Sequence, residues 1–226
     1  MICSTNIAVN SKLYEALPQP WQRLTDLAWE SYKAGSLPIA ALITDGEGNI
    51  LSTGRNRIFE ETPEAPYLSN TKLAHAEVNA LLALSSEDVK RSDLKLYTTL
   101  EPCPLCMGAS RMMGIPEIHY AARDPWAGCA AMAQQVPYLQ QAEMKMVPPF
   151  SVEREQALIA WLYERFSYVP KVLRKFEATY PEASAAGKIL FESGQLKVVV
   201  RRGGQAKEVL DYIHKAINQV QLDNVS

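Results

Sequence analysis

The sequence predicts an α/β fold, a mixed sheet packed between helices, followed by a helical C-terminal extension. Two observations carry this. Helical spacing and strand alternation exchange repeatedly along the first two thirds of the chain, and only helical spacing follows Pro148-Pro149. The proline pair sets the expected division, a domain over 1–149 and an extension over 150–226.

Each element follows from its residues. From Gln19 to Gly35, Trp21, Leu24, Leu27, Ala28 and Trp29 fall on one helical face, and Gly35 stands where a helix stops. "PIAALITD" and "NILSTGRNR" read as two strands of an antiparallel hairpin across "GEG". Residues 60–72 are polar with two prolines, a long loop of the kind that covers a site. "LAHAEVNALLAL" is a helix from its apolar content, "LKLYTTL" a strand, "CPLCMGASRMMG" a helix closed by Gly114, and "EIHYAA" a short strand. A helix is expected over 127–135 and a last strand at "EMKMV". Four helices follow, in "VEREQALIAWLYERF", "KVLRKFEATY", "EASAAGKILFES" and "AKEVLDYIHKAINQV".

At 226 residues the chain can bury a sizeable core, and 47% hydrophobic with 21% charged residues excludes a disordered chain. No apolar run reaches the roughly 18–20 residues that cross a bilayer. The first residues lack a basic stretch followed by an apolar block, so a cytoplasmic location is expected. A net charge of −2 gives no global attraction to nucleic acid. Nine Lys or Arg against three Glu between Arg165 and Lys207 make one local basic excess, read as a solvated helical face or a nucleic-acid footprint.

The chemistry concentrates in two places. His75 and Glu77 open an apolar helix, where first-turn capping could explain them. Cys103 and Cys106, three apart at a helix start, lie about 60° apart around its axis, on one face. Their thiolates can reach one ion, and Pro104 costs no donor in a first turn. Both helices follow strands, read as neighbours whose ends share a sheet edge, so the helix starts converge. His75, Cys103 and Cys106 then make three ligands, with no fourth Cys or His at ligand spacing. A structural zinc takes four protein ligands, whereas a catalytic zinc keeps one position open. Glu77 is left beside that position as a proton carrier. The other residues read blandly: His119 and His214 as satisfied structural or surface residues, Cys3 as a terminal residue, and Cys129 as a small buried one.

The pattern His-x-Glu then Pro-Cys-x-x-Cys is the signature of zinc nucleobase deaminases. Over about Leu37 to Ala131, with "HAE", "TLEPCPLCMGA" and "AARDPWAG", the chain resembles the cytidine deaminase superfamily. It is most similar to the branch of tRNA adenosine, guanine and cytosine deaminases. The resemblance implies a three-layer α-β-α fold with a five-stranded mixed sheet, one zinc per chain, a homodimer, and Glu77 as catalytic residue. It implies substrate contacts from Asn56 in "GRNR", from Ala76, and from Asp124 and Trp126 in "ARDPW". A turn role for Asn56, a helix-cap role for Asp124 and a core role for Trp126 stay open. Ala40 stands where the family has Gly, which implies a narrower pocket floor.

The implied activity is hydrolytic deamination of a free base, nucleoside or related aminated heterocycle. A tRNA adenosine deaminase and a non-catalytic zinc module are the alternatives. Glu60, Glu61 and Glu64, just before the His75 helix, argue against a bound phosphate backbone.

Overall fold

The computed structural model describes residues 12–166 and 169–224; Cys3 lies outside them. A single turn, α1 (Lys12–Glu15), precedes Pro18, and Pro20 in the first turn of α2 (Gln19–Lys33) costs that helix no hydrogen bond. Leu24, Leu27, Ala28, Trp29 and Tyr32 form its buried stripe, and Gly35, at φ 87°, takes the left-handed turn that ends it.

Strands β1 (Ala40–Thr44) and β2 (Ile50–Arg55) pair antiparallel. The Asp45 carboxylate closes their turn by accepting from the backbone N–H of Glu47 at 3.0 Å and of Asn49 at 2.8 Å. After the long loop come α3 (Ala76–Leu82), β3 (Lys95–Thr98), α4 (Pro104–Met112) and β4 (Glu117–Tyr120). A short α5 (Pro137–Gln140) and β5 (Lys145–Val147) complete this half. The sheet order is β2-β1-β3-β4-β5. Strand β1 runs antiparallel to both neighbours, and β3, β4 and β5 run parallel. This is the expected five-stranded mixed sheet with flanking helices. "AALIT" is apolar apart from its last residue because β1 is buried throughout its length. Alternation in β2 divides its side chains: the Ser52 hydroxyl donates to Ala80 O of α3 at 2.8 Å, whereas Thr53 and Arg55 share a cavity with Arg23 and Leu27 of α2.

Three expectations need correction. Strands β2 and β3 are not neighbours, because β1 lies between them. Both oppose β1, so they run the same way and their C-terminal ends still share one edge. Residues 127–135 hold no α-helix. The Asp124 turn and a bond from Cys129 N–H to Pro102 O at 3.0 Å fix the backbone there, and only a 3-10 turn over Ala130–Gln134 forms. The helix at "QLKVVVR" was missed, because its run of three valines carries no helical signal by propensity.

Beyond Pro148-Pro149 the chain forms α6 (Val152–Arg165), α7 (Pro170–Thr179), α8 (Pro181–Ser193), α9 (Gln195–Arg201) and α10 (Ala206–Asp223). Ser151 caps α6 through its hydroxyl oxygen. Helix α8 packs on both α6 and α10. The extension meets the sheet half through α2: Trp29 and Tyr32 stack on each other at 5.4 Å and lie 6.3 and 6.1 Å from Trp161 of α6. Trp29 Nε1 donates to Gly204 O at 2.8 Å, and the Tyr32 hydroxyl donates to Glu164 at 2.9 Å. One hydrophobic core therefore runs through both halves. Among the described residues, no helix is long and apolar enough to cross a membrane.

Candidate metal centre

His75 is the N-cap of α3 and Cys103 the N-cap of α4. Each N-cap residue has extended backbone, which turns its side chain beside the first turn of the helix that follows. Cys106 enters the site from within α4 and is buried. His75 Nδ1 lies 3.5 Å from Cys103 Sγ and 3.4 Å from Cys106 Sγ, and the two sulfurs are 3.6 Å apart. Ligands at ordinary bond lengths around a tetrahedral zinc sit about 3.6 Å apart for N and S and about 3.8 Å for two S. The triangle fits that ion, and these three form a ligand set with no fourth protein member among the described residues. Two thiolates and a neutral imidazole balance the charge of a divalent cation.

Electrostatics agree. The contact between the two sulfurs, helped by hydrogen bonding to His75, brings the Cys103 thiol pKa down to about 4. The same contact, reinforced by burial, pushes the Cys106 pKa up. Hydrogen bonding to Cys103 raises His75. The three groups share protons that a metal would displace.

Glu77 stands beside this set and outside it. It is 4% exposed. Thr98 at the end of β3 donates to Oε1 at 2.9 Å, and the Cys106 thiol donates to Oε2 at 3.3 Å. Burial raises the carboxyl pKa above the usual range. Once Cys106 ionises to bind metal it has no proton to donate, and Oε2 is free to accept one from another source.

The remaining sequence-derived residues occupy distinct places. Asn56 directly follows β2 and is almost fully buried. Its backbone N–H donates to Ile39 O, and its Oδ1 accepts from Ile58 N–H at 3.3 Å. Its Nδ2 has no partner among the described residues. Ala76 is buried in the first turn of α3, where backbone N–H groups lack helical acceptors. Asp124 uses Oδ1 to accept from Trp126 N–H at 2.8 Å and Ala127 N–H at 3.1 Å, a turn rather than a helix cap. Trp126 is 50% exposed, so it is no core residue. Ala40 is buried and bonded to Thr99 through both backbone groups. His119 stacks on Tyr97 at 4.4 Å and meets Glu117, and His214 meets Glu153 at 3.3 Å; neither joins the ligand set.

Three residues that support the site escaped the sequence reading. Thr98 holds Glu77. Asn79, wholly buried in α3, bonds to Leu68 N–H, Leu68 O and Arg55 O, tying the long loop to β2. Glu101 accepts from Asp124 N–H at 3.2 Å and Ala130 N–H at 2.8 Å. A lone amide in an otherwise apolar helix was the readable signal for Asn79.

The acidic loop also differs from expectation. Glu60 pairs with Arg55 and Arg57, and Glu64 with Arg57 at 2.8 Å. Two of its three carboxylates are neutralised internally and do not repel a phosphate as argued from sequence.

A mixed sheet whose edge gathers the starts of two helices, one bearing His-x-Glu and the other Cys-x-x-Cys, defines a class of zinc-binding fold. The chain matches the cytidine and deoxycytidylate deaminase zinc-binding region over residues 19–122. It is 31% identical over 137 residues to guanine deaminase of Bacillus subtilis, covering 58% of this chain and 82% of that protein. It is 30% identical over 125 residues to the tRNA-specific adenosine deaminase of the same organism, covering 52% of this chain and 71% of that protein. A tRNA(Ile)-lysidine synthase of Deinococcus radiodurans is 34% identical over 104 residues, 45% of this chain; the match spans only 16% of that longer protein. The chain belongs to the cytidine and deoxycytidylate deaminase family, and the matched region runs from α2 to just past β4.

Proposed function

We propose that this protein is a zinc-dependent hydrolytic deaminase of a free nucleobase, nucleoside or related aminated heterocycle. Glu77 carries the reading: it is a buried carboxylate next to three ligands, excluded from binding, with one oxygen fixed and the other available. Bound by His75, Cys103 and Cys106, zinc supplies a water whose pKa is lowered toward neutrality. Glu77 Oε2 would accept a proton from that water. The same carboxyl would pass the proton to the substrate ring nitrogen, then assist the departing amine. The net reaction adds water at the amidine carbon, breaks the exocyclic C–N bond and releases ammonia. Asn56 Nδ2 and the Ala76 N–H are donors for the heterocycle's polar edge, and Asp124 and Trp126 form the pocket mouth.

The small-molecule reading rests on the arginines around the long loop and the 121–130 loop. Arg55, Arg57 and Arg123 are each matched by a carboxylate, Glu60, Glu64 or Glu155, so they leave little excess charge for a polyanion. The tRNA adenosine deaminase reading is supported by the Bacillus subtilis relative. We also infer a homodimer: Met112, 79% exposed, and the exposed Leu82 and Leu105 give α3 and α4 an apolar outer surface. Residues 1–149 are read as the deaminase domain and 150–226 as its extension.

The test is an ammonia-release screen of the zinc-loaded protein over bases, nucleosides, aminated heterocycles and tRNA. Turnover of a small heterocycle supports the proposal. Turnover of tRNA alone replaces the substrate class, and no release from any substrate leaves a zinc module.

A further inference from the structure

We propose that Glu155, in the first turn of α6, is a positioning residue for the substrate pocket, acting through Arg123 on the loop that carries Asp124 and Trp126. This rests on the deaminase reading above for what the loop contacts, and on geometry alone for the clamp itself.

Glu155 Oε1 accepts from the Arg123 backbone N–H at 3.0 Å, from Arg123 Nη1 at 3.1 Å and from the Tyr180 hydroxyl at 2.8 Å, and Oε2 accepts from Nη1 at 2.9 Å. The carboxylate is 5% exposed, so these bonds replace its water. Surface glue between two halves of a protein needs only a side-chain pair. Here the carboxylate also binds backbone, and that fixes where the chain goes after Arg123.

The next peptide is fixed from the opposite side. Asp124 N–H donates to Glu101, which stands two residues before Cys103, and Glu101 also accepts from Ala130 N–H. Gly128 packs so closely on Glu101 that an added Cβ would lie 2.5 Å from its carboxylate. Cys129 N–H donates to Pro102 O. The loop over 123–130 is thus held between a carboxylate of the segment that leads from β3 to Cys103 and a carboxylate of the C-terminal extension. The family match ends at residue 122, one residue before this clamp begins. The extension therefore shapes one wall of the pocket.

The position predicts a particular kinetic signature. A wall that contacts substrate equally in ground and transition states changes KM and leaves kcat alone. Glu155→Gln keeps the size of the side chain and removes its charge. On a substrate found by the screen, KM should rise about tenfold, with kcat within about twofold and zinc retained. The second readout needs no activity: fluorine NMR of the full chain labelled with 5-fluorotryptophan, with Trp126 assigned through Trp126→Phe. Glu155→Gln should shift or broaden the Trp126 signal and leave Trp21 and Trp29 in place. Tyr180→Phe, which removes one hydrogen bond only, should move Trp126 less and in the same direction; it keeps the test open if Glu155→Gln does not fold. An unmoved Trp126 signal, or all tryptophan signals moving together with loss of zinc, overturns the clamp. A moved Trp126 in a protein that deaminates nothing supports the clamp and overturns the deaminase reading alone.

Discussion

Glu77 illustrates how burial changes the surroundings of a common residue. An exposed first-turn glutamate would serve the helix dipole and stay ionised. Here the protein removes its water, gives Oε1 one donor from Thr98, and leaves Oε2 beside the ligand set. Glu77→Gln should keep fold and zinc and lose turnover by about 10⁴ or more, because one carboxylate serves several proton transfers. Single-turnover ammonia release, with metal content measured in parallel, checks this. A variant within tenfold of wild type would reduce Glu77 to a helix-start carboxylate. The neighbouring ligands predict the opposite pattern. Cys103→Ala combined with Cys106→Ala should abolish zinc binding by elemental analysis, since a single imidazole cannot retain the ion. Full zinc in that double variant would sink the ligand assignment.

At the level of elements, α3 is placed by a close approach. A Cβ on Gly54 of β2 would lie 2.3 Å from both Ala76 O and Ala80 N of α3. Only glycine lets the helix sit that near, and His75 hangs from its first turn. Gly54→Ala should cost about 3 kcal/mol in denaturant unfolding and weaken zinc retention against a chelator, because the helix start is pushed away. Equal stability and zinc affinity would refute that placement. Much of this was readable. Period and turn residues gave α2, the hairpin, α4 and the C-terminal helices other than α9, since each carries its own local signal. The ligand trio was readable because few residue types bind zinc. Two unreadable parts are set by distant partners, β1 lying between β2 and β3 and the Cys129 backbone held by Pro102; the pairing of Glu60 and Glu64 with Arg55 and Arg57 is local but depends on how the loop folds back. Asn79 and Glu101 belong here too, because a side chain that ties loops together leaves no periodic trace.

For the whole molecule, the aromatic contact of Trp29, Tyr32 and Trp161 makes the sheet half and the helical half share one interior. Trp161 is fully buried. Trp161→Ala should lower stability by about 3–5 kcal/mol. It should do so in one cooperative transition, with circular dichroism and zinc release moving together. Two separated transitions in wild type would show that the halves fold independently.

The strand order also decides when the metal site can exist during folding. His75 follows β2 and Cys103 follows β3, and these strands meet only across β1. The β1–β2 hairpin is local and closes early, but α3, which packs on it, brings only one ligand, His75. The other two arrive when β3 docks, a contact of much greater sequence separation and slower closure. In refolding from denaturant with a zinc indicator present, high-affinity metal capture should therefore follow the slow phase of sheet assembly rather than hairpin formation. Capture in the earliest phase would mean that the ligands meet before the sheet does. Until β3 docks, the Cys-x-x-Cys pair is a free dithiol, so the interval before sheet closure is when a nascent chain is most open to oxidation.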